Sequence, residues 1–414
     1  MTQLGRQVRA LMGRASGRTR LFYAVIANGL VSITSLLLAV AIARVSDPWA
    51  FGQFSIAMAV YLFAMGLVRA AITETTLAVE PTAEVNVRGF RRAALVSLVF
   101  GAAMLGTGLL AHNDYLIILG LAFNGLICLD YLRTVEAALY RARTSLVQGG
   151  LWSIATAVIS VVSFVMPIAP LTTFVVWAVS GSLIGYVSAV VARYSLLPSW
   201  GRHETETRAA VLFSLDYVAG SGGSALSTAL LGVTSSARTV GALRGAGTII
   251  GPISLLSTTI RSLIIPYLTR ARKSGARVEF ARAAAVALVV GAVLAIPAVL
   301  LCFLPYAAGH ALLGQTWPAA SPLLPALAIE SVLALIGNIA SAGHRSRLAG
   351  VRSLVLRLSV GIPRPFIVIA AAGVWGAAGA AWAMAALSAL NCVIWWLSYW
   401  QLTQQPQDAI DRAA

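Results

Sequence analysis

The sequence predicts an all-α polytopic membrane protein with about twelve transmembrane helices arranged as two parallel six-helix lobes. Three observations carry that prediction. The chain is 59% apolar and only 11% charged, whereas about a quarter of the residues of a soluble domain are charged. Apolar stretches recur along nearly all of its 414 residues, each close to the ~20 residues that a helix needs to cross a hydrocarbon core of roughly 30 Å. Basic residues gather, with few exceptions, in every second gap between those stretches, the pattern of cytoplasmic loops under the positive-inside rule. A soluble fold is excluded.

Residues 1–20 form a basic tail with Arg6, Arg9, Arg14, Arg18 and Arg20. The first span, 21–43, has no clear small-residue cleavage site after it and reads as a retained signal anchor. The later spans fall near 53–76, 93–111, 115–139, 149–168, 171–195, 209–232, 246–269, 279–305, 320–341, 353–373 and 375–400. No gap exceeds roughly 20 residues, too few for a sizeable extramembrane domain between spans. A soluble catalytic domain is therefore not expected.

The formal charge of +16 would suggest nucleic acid in a soluble protein. Here it follows from loop orientation, and no nucleic-acid partner is expected. Gaps in phase with the N-terminal tail carry Arg88, Arg91 and Arg92, then Arg141 and Arg143, then Arg202 and Arg208, then Arg270, Arg272, Lys273 and Arg277, then Arg345, Arg347 and Arg352. The opposite gaps, around His112–Asp114, Ala169–Pro170, Tyr306–Trp317 and Gly373, contain no Lys or Arg. Both termini are thus expected in the cytoplasm. The exceptions are Arg44 in the first outer loop and Arg238 and Arg244 in the fourth.

The polar stretch from Pro198 to Thr207 divides the spans into two sets of six. The expected organisation is an N-terminal lobe over 21–197, a cytoplasmic linker over 198–208, a C-terminal lobe over 209–402 and a short tail over 403–414. An even number of spans precedes the linker, so both lobes start from the same side, as parallel repeats do. The two exceptional outer loops sit at the same place in each lobe and are loosely alike: Val45-Ser-Asp-Pro-Trp-Ala-Phe-Gly52-Gln-Phe54 and Val233-Thr-Ser-Ser-Ala-Arg-Thr-Val-Gly241-Ala-Leu243.

Several spans contain helix-weakening elements: Gly220-Ser-Gly-Gly223, Gly251-Pro252, Pro266, Pro297 and Pro363-Arg-Pro365. They are either bending points or the ordinary Gly and Pro of membrane helices. Cys128, Cys302 and Cys392 lie inside spans without the close spacing of a metal or disulfide framework, and read as packing residues. No metal or other cofactor is called for.

The segment Ala43-Arg-Val-Ser-Asp-Pro-Trp-Ala-Phe-Gly-Gln-Phe-Ser-Ile-Ala57, continuing through Gly66-Leu-Val-Arg69, resembles the first-loop and second-helix signature of bacterial polysaccharide flippases. Val240-Gly-Ala-Leu-Arg-Gly-Ala246 through Pro252, with Pro266-Tyr-Leu-Thr-Arg270, resembles their seventh-loop and eighth-helix pattern. Leu313-Gly-Gln-Thr-Trp-Pro-Ala-Ala320 resembles the outer loop before their tenth helix. The order and spacing of these degenerate motifs carry the resemblance. It points to the polysaccharide-specific branch of the multidrug, oligosaccharidyl-lipid and polysaccharide exporter superfamily. That family implies movement of polyprenyl-pyrophosphate-linked oligosaccharide across the bacterial inner membrane, with membrane lipids around the protein and polysaccharide polymerases or glycosyltransferases as candidate partners.

Charge inside a span costs roughly 2.5–3.5 kcal/mol per residue at the bilayer centre on the insertion scale, so intramembrane charges are expected to pair or to line a wet cavity. Asp130, Arg133 and Glu136 share one helical face and can neutralise each other. Arg69, Glu74 and Arg357 lie near span ends and can snorkel. Asp216, Arg261, Glu330 and Arg364 lie deeper. Arg364 stands between two prolines that cannot donate backbone hydrogen bonds, so either the helix opens there and exposes carbonyls for salt or substrate to satisfy, or Arg364 fixes helix packing by pairing with Glu330. The candidate substrate-binding residues are Arg69, Asp216, Arg261, Glu330 and Arg364; an Arg fork matches phosphate oxygens, and the family resemblance implies Arg69, Asp216 and Arg261 ahead of Arg364. Acidic and basic candidates are equal in number, a departure from a strongly cationic cavity.

The alternative within the same superfamily is a cation-coupled multidrug exporter, which needs an acidic ion site. The first span has none, and Asp216 is the candidate. An integral-membrane polymerase or acyltransferase is the third reading. His112, His203, His310 and His344 are scattered as loop or interfacial residues without a catalytic pattern, so no enzyme is expected. Trp382, Trp395, Trp396, Tyr399 and Trp400 read as an interfacial aromatic belt.

Overall fold

Among the described residues, the segments with enough apolar residues to cross a bilayer are helices, because only a helix satisfies its own backbone there. The structure, a computed structural model, describes residue 30 and residues 33–78, 83–138, 142–166, 168–199, 210–272 apart from 212, 216, 219, 221 and 222, 275–347 and 349–405. The basic tail, the start of the first span, most of the proposed linker and the C-terminal tail lie outside those residues. The described residues are helical with short turns and contain no strand.

In chain order the helices are α1 (Ile33–Val45), α2 (Pro48–Val68), α3 (Ala83–Leu110), α4 (Asp114–Ala138), α5 (Ala142–Val165) and α6 (Pro170–Val191). The second set comprises α7 (Gly223–Thr234), α8 (Ala237–Arg272), α9 (Ala276–Cys302), the short α10 (Tyr306–Leu313), α11 (Leu324–Ser346), α12 (Gly350–Gly361) and α13 (Pro363–Gln404). Among the described residues 8 helices are long and apolar enough to cross a membrane. The last of them contains two crossings. At Gly376 the backbone adopts φ 61° and ψ −148°, a conformation open to glycine and strained for other residues. A Cβ on Gly379 would touch the carbonyl oxygen of Ala371, and residues eight apart in a straight helix are about 12 Å apart along its axis. The chain therefore doubles back beside Gly373, where the sequence places the last outer gap.

The predicted proline weak points leave the helical path in place, while Ser221 and Gly222 of the Gly220–Gly223 stretch lie outside the described residues. α8 runs through Pro252 and Pro266, and α9 through Pro297. Opening at Pro363-Arg-Pro365 was one expectation for α13; instead Ile362 keeps helical angles (φ −67°, ψ −47°). The helical path thus continues from α12 into α13, although Pro363 and Pro365 bring no N–H to the Ser359 and Gly361 carbonyls.

The chain forms two compact units: Met1–Ile42 with Ala64–Leu215, and Ala43–Phe63 with Asp216–Ala414. In the first, α4 is the most enclosed of the long apolar helices. Glycines let its neighbours approach. A Cβ on Gly120 would lie 2.6 Å from the Leu105 nitrogen in α3, and one on Gly125 would lie 2.7 Å from the Ser182 Cα in α6. Small residues at helix contacts replace the hydrophobic drive that lipid does not supply. The Asn124 amide spans the same layer, donating to the Ala94 carbonyl (2.9 Å) and Ser97 Oγ (2.8 Å) and accepting from Tyr186 Oη (3.0 Å). Trp152, Trp177, Phe174 and Tyr115 form a chain of ring contacts in which Trp152 Nε1 donates to the Trp177 carbonyl at 3.0 Å.

In the second unit, a core of Ile264, Leu268, Ala283, Ala287, Ile339, Ala340, Ala342, Trp395 and Tyr399 joins α8, α9, α11 and α13. Large apolar side chains on the outer faces, such as Leu288 and Val293 of α9, are exposed, as helix faces toward lipid require.

Candidate functional site

The charged residues inside the spans fall into three clusters, and their burial separates them. In the first unit α2 continues into a π-helical turn, Arg69–Glu74. A π-turn widens the helix and re-aims its side chains. Arg69 grips Asp130 of α4 through both sides of its fork: Nε donates to Oδ2 at 3.0 Å, and Nη2 to Oδ1. Arg133 adds a longer contact to Oδ1, 3.5 Å from Nη2. The local neutralisation expected along one face of α4 is therefore secondary, because the main partner of Asp130 comes from another helix. Arg69, for which the sequence leaves open snorkelling or substrate binding, is here an ion-pair partner of Asp130. One carboxylate faces two guanidinium groups. Asp130 is buried and Arg69 keeps 35% of its side chain exposed, so the Arg69 side of the pair is accessible.

In the second unit Arg364 Nη2 donates to Glu330 Oε1 at 2.9 Å, joining α13 to α11. This is the pairing the sequence offered as an alternative role for Arg364. Both side chains remain partly exposed, 24% and 21%. Arg357 of α12 lies close to Gly220, whose Cβ would be 3.6 Å from its Nη1. The backbone of Arg261 lies in α8, while its side chain, like Asp216 as a whole, lies outside the described part. Of the five sequence candidates, the structure joins Glu330 to Arg364 and joins Arg69 to Asp130, which was not in the candidate set.

The third cluster escaped the sequence reading. Glu279 in the first turn of α9 is fully buried. It receives Arg347 Nη2 at 2.7 Å, Arg347 Nε at 3.1 Å and Tyr399 Oη at 2.9 Å. The Arg347 Nη1 donates onward to the Leu402 carbonyl at 3.1 Å. Beside it the buried His344 bridges the Ala340 carbonyl and Ser398 Oγ, each at 3.0 Å, and Arg352 Nε donates to the same hydroxyl at 2.8 Å. Three expectations are corrected here. Arg347 is a buried ion-pair partner, since Glu279 needs a counter-charge. His344 is a core residue, since both ring nitrogens find partners inside. Within the aromatic group, Trp395 and Tyr399 are buried and Trp396 donates to the Ile336 carbonyl at 3.1 Å, so only the exposed Trp382 and Trp400 fit a belt. The available signal was that Glu279, Arg347 and Tyr399 all fall at the same predicted membrane face.

The fold has solved relatives. The inward-facing conformation of a multidrug resistance MATE family transporter of the MOP superfamily matches with a TM-score of 0.61 at 14% identity, covering 94% of this chain and 99% of that one. The outward-facing conformation of such a transporter gives 0.58 at 14% identity over 95% and 96%. A MOP superfamily transporter from Pyrococcus furiosus, described as having a binding pocket of reverse polarity that suggests a different function, gives 0.53 at 13% identity over 94% and 96%. No family model matches the sequence. No curated protein matches it either. The chain is an all-helical, multi-pass membrane protein with the fold of MOP superfamily transporters.

Proposed function

We propose that this chain is a secondary exporter that carries an organic cargo outward by alternating access. The observation that supports this most is the correspondence of nearly the whole chain with transporters solved in both inward-facing and outward-facing conformations.

Two cargo classes follow from different observations. Cation-coupled multidrug export has the stronger backing from the solved relatives, which are multidrug transporters. Coupling can use a carboxylate that takes a proton or metal cation, and among the described residues Glu330 is the most accessible of the Arg-paired carboxylates, held by a hydrogen bond from Arg364. The second reading, export of a lipid-linked oligosaccharide, is favoured by the three sequence motifs and by the partly exposed Arg69 fork, whose planar donors match phosphate oxygens. Outward movement of an anion gains about 2.3 kcal/mol per charge per 100 mV of inside-negative potential, without any ion coupling.

A deletion strain with wild-type complementation separates these readings. Lipid-linked glycan trapped in the inner leaflet and released by complementation supports the oligosaccharide reading. Increased drug sensitivity with normal glycan, reversed only when an ion gradient is present, supports the multidrug reading. A deletion strain that shows neither phenotype would contradict the export proposal.

A further inference from the structure

Two hydroxyls and one guanidinium nitrogen in the second unit are enclosed by protein without a hydrogen-bond partner among the described residues: Ser46 Oγ, Thr316 Oγ1 and Arg244 Nε. Ser46 is 3% exposed and Thr316 0%. Other hydroxyls of this unit return to a carbonyl of their own helix, as Ser55 does to Phe51 at 2.7 Å and Thr248 to Arg244 at 2.8 Å. A buried donor left unbonded carries its full desolvation cost. An occupant that accepts from all three groups would remove that cost.

The three groups come from separate segments that backbone contacts draw together. A Cβ on Gly314, in the 3-10 turn after α10, would fall on the Arg44 carbonyl, and one on Gly245 of α8 would lie 3.0 Å from the Thr316 Cγ2. A Cβ on Gly241 would fall on the Pro48 carbonyl and within 3.0 Å of the Gly52 nitrogen. Ser46 lies midway between Arg44 and Pro48 in the loop, so the contacts to Gly314 and Gly241 bracket it. Arg244 follows Gly241 by about one helical turn. Helical side chains lean toward the N-terminus of their helix, which carries the Arg244 side chain back over the Gly241 turn, against which the Ser46 loop rests.

The charge around these groups is unbalanced. Arg44, Asp47, Arg238 and His310 are the other charged or titratable groups on the segments that meet here besides the exposed Tyr306, and all of them are exposed. The one acid, Asp47, caps α2, its Oδ1 accepting from the Trp49 and Ala50 nitrogens at 2.8 Å. In the first unit the partnerless nitrogens of Arg88, Arg91 and Arg133 differ, because the carboxylates of Asp130 and Glu136 share their end of the helices. Arg44, Arg238 and Arg244 are also the arginines that break the alternation of loop charge along the sequence.

We propose that a chloride-sized monovalent anion binds among Ser46 Oγ, Thr316 Oγ1 and the Arg244 guanidinium. Hydroxyl and guanidinium groups both donate to such an ion, and a charged acceptor makes each bond stronger than a neutral one. Enclosure of all three atoms favours a single-atom ion over a phosphate or a carboxylate. The anion ties the first interhelical loop to α8 and to the turn after α10, and it neutralises an arginine that has no carboxylate partner among the described residues. The site does not depend on the cargo.

The test unfolds purified full-length protein thermally in potassium chloride, bromide, phosphate and gluconate at equal ionic strength. A ligand that binds only the folded state raises the midpoint, so chloride and bromide are expected to raise it saturably relative to gluconate, and phosphate is not. Arg244→Met is expected to lose the halide gain. Thr316→Val and Ser46→Ala each remove one donor and are expected to raise the halide concentration for half the gain by roughly tenfold. Arg238→Ala, an exposed arginine on the same helix, is expected to keep the gain. A midpoint independent of the anion overturns the proposal and leaves water as the occupant. An equal gain in phosphate, or a gain that survives Arg244→Met, assigns the effect to the protein surface and overturns it as well. If Arg244→Met does not fold, the hydroxyl variants decide: an unchanged halide dependence in both overturns the site. The readout is stability, so its failure leaves the export reading untouched.

Discussion

The Glu279–Arg347 cluster and the Glu330–Arg364 pair lie in the same unit and have the same chemistry, yet they differ in how completely each is enclosed and bonded. Glu279 is fully buried and takes hydrogen bonds from Arg347 and Tyr399, while Arg347 also satisfies the Leu402 carbonyl. Glu330 and Arg364 share one bond at 2.9 Å and remain partly exposed. A buried ion pair is costly to break because the remaining charge has no water to turn to. A partly exposed pair with a single bond exchanges partners at little cost. The first arrangement suits a fixed joint between helix ends, and the second suits a site that changes occupant during transport.

The largest expected effect comes from Arg347→Ala, which strands a buried carboxylate. It should remove about 3–5 kcal/mol of stability, the cost of breaking a buried pair on one side. Thermal unfolding in detergent and the amount of protein in the membrane check it. Tyr399→Phe should come next, at about 1.5–3 kcal/mol for a hydrogen bond to a charged group, read by the same unfolding measurement. Trp396→Phe loses a neutral bond to the Ile336 carbonyl and should cost only about 0.5–1.5 kcal/mol. Arg364→Ala should leave membrane protein nearly unchanged while lowering export by about tenfold or more, since a tenfold rate change needs only about 1.4 kcal/mol, whereas Arg69→Ala, which leaves the buried Asp130 with only the longer Arg133 contact, should lower protein level as well as export. Arg364→Lys keeps the charge but loses the fork, so recovered export with lysine would point to charge alone.

The fold was largely legible because membrane crossing imposes length and polarity rules on each segment separately. The tight reversal at Gly376 lies beside the Gly373 gap because a chain between two adjacent spans has few other residues that can turn. The site was legible only in part. Glu330 and Arg364 stood out because both are charged well inside apolar spans. Glu279 and Arg347 did not, since each lies near a span end, where charge is expected, and their pairing depends on packing between helices 68 residues apart. Trp395 and Tyr399 share a helix end with Trp400, and composition alone could not tell which faces of α13 turn inward. The Arg69–Asp130 pairing was hidden for a similar reason, because the local candidate Arg133 competes for the same carboxylate.

The most direct test of this contrast measures export and membrane protein level side by side for Arg347→Ala and Arg364→Ala. The account predicts that Arg347→Ala loses the protein, and that Arg364→Ala keeps the protein but loses export. Normal export per molecule in Arg364→Ala, or a stable Arg347→Ala protein with a specific loss of export, would contradict it.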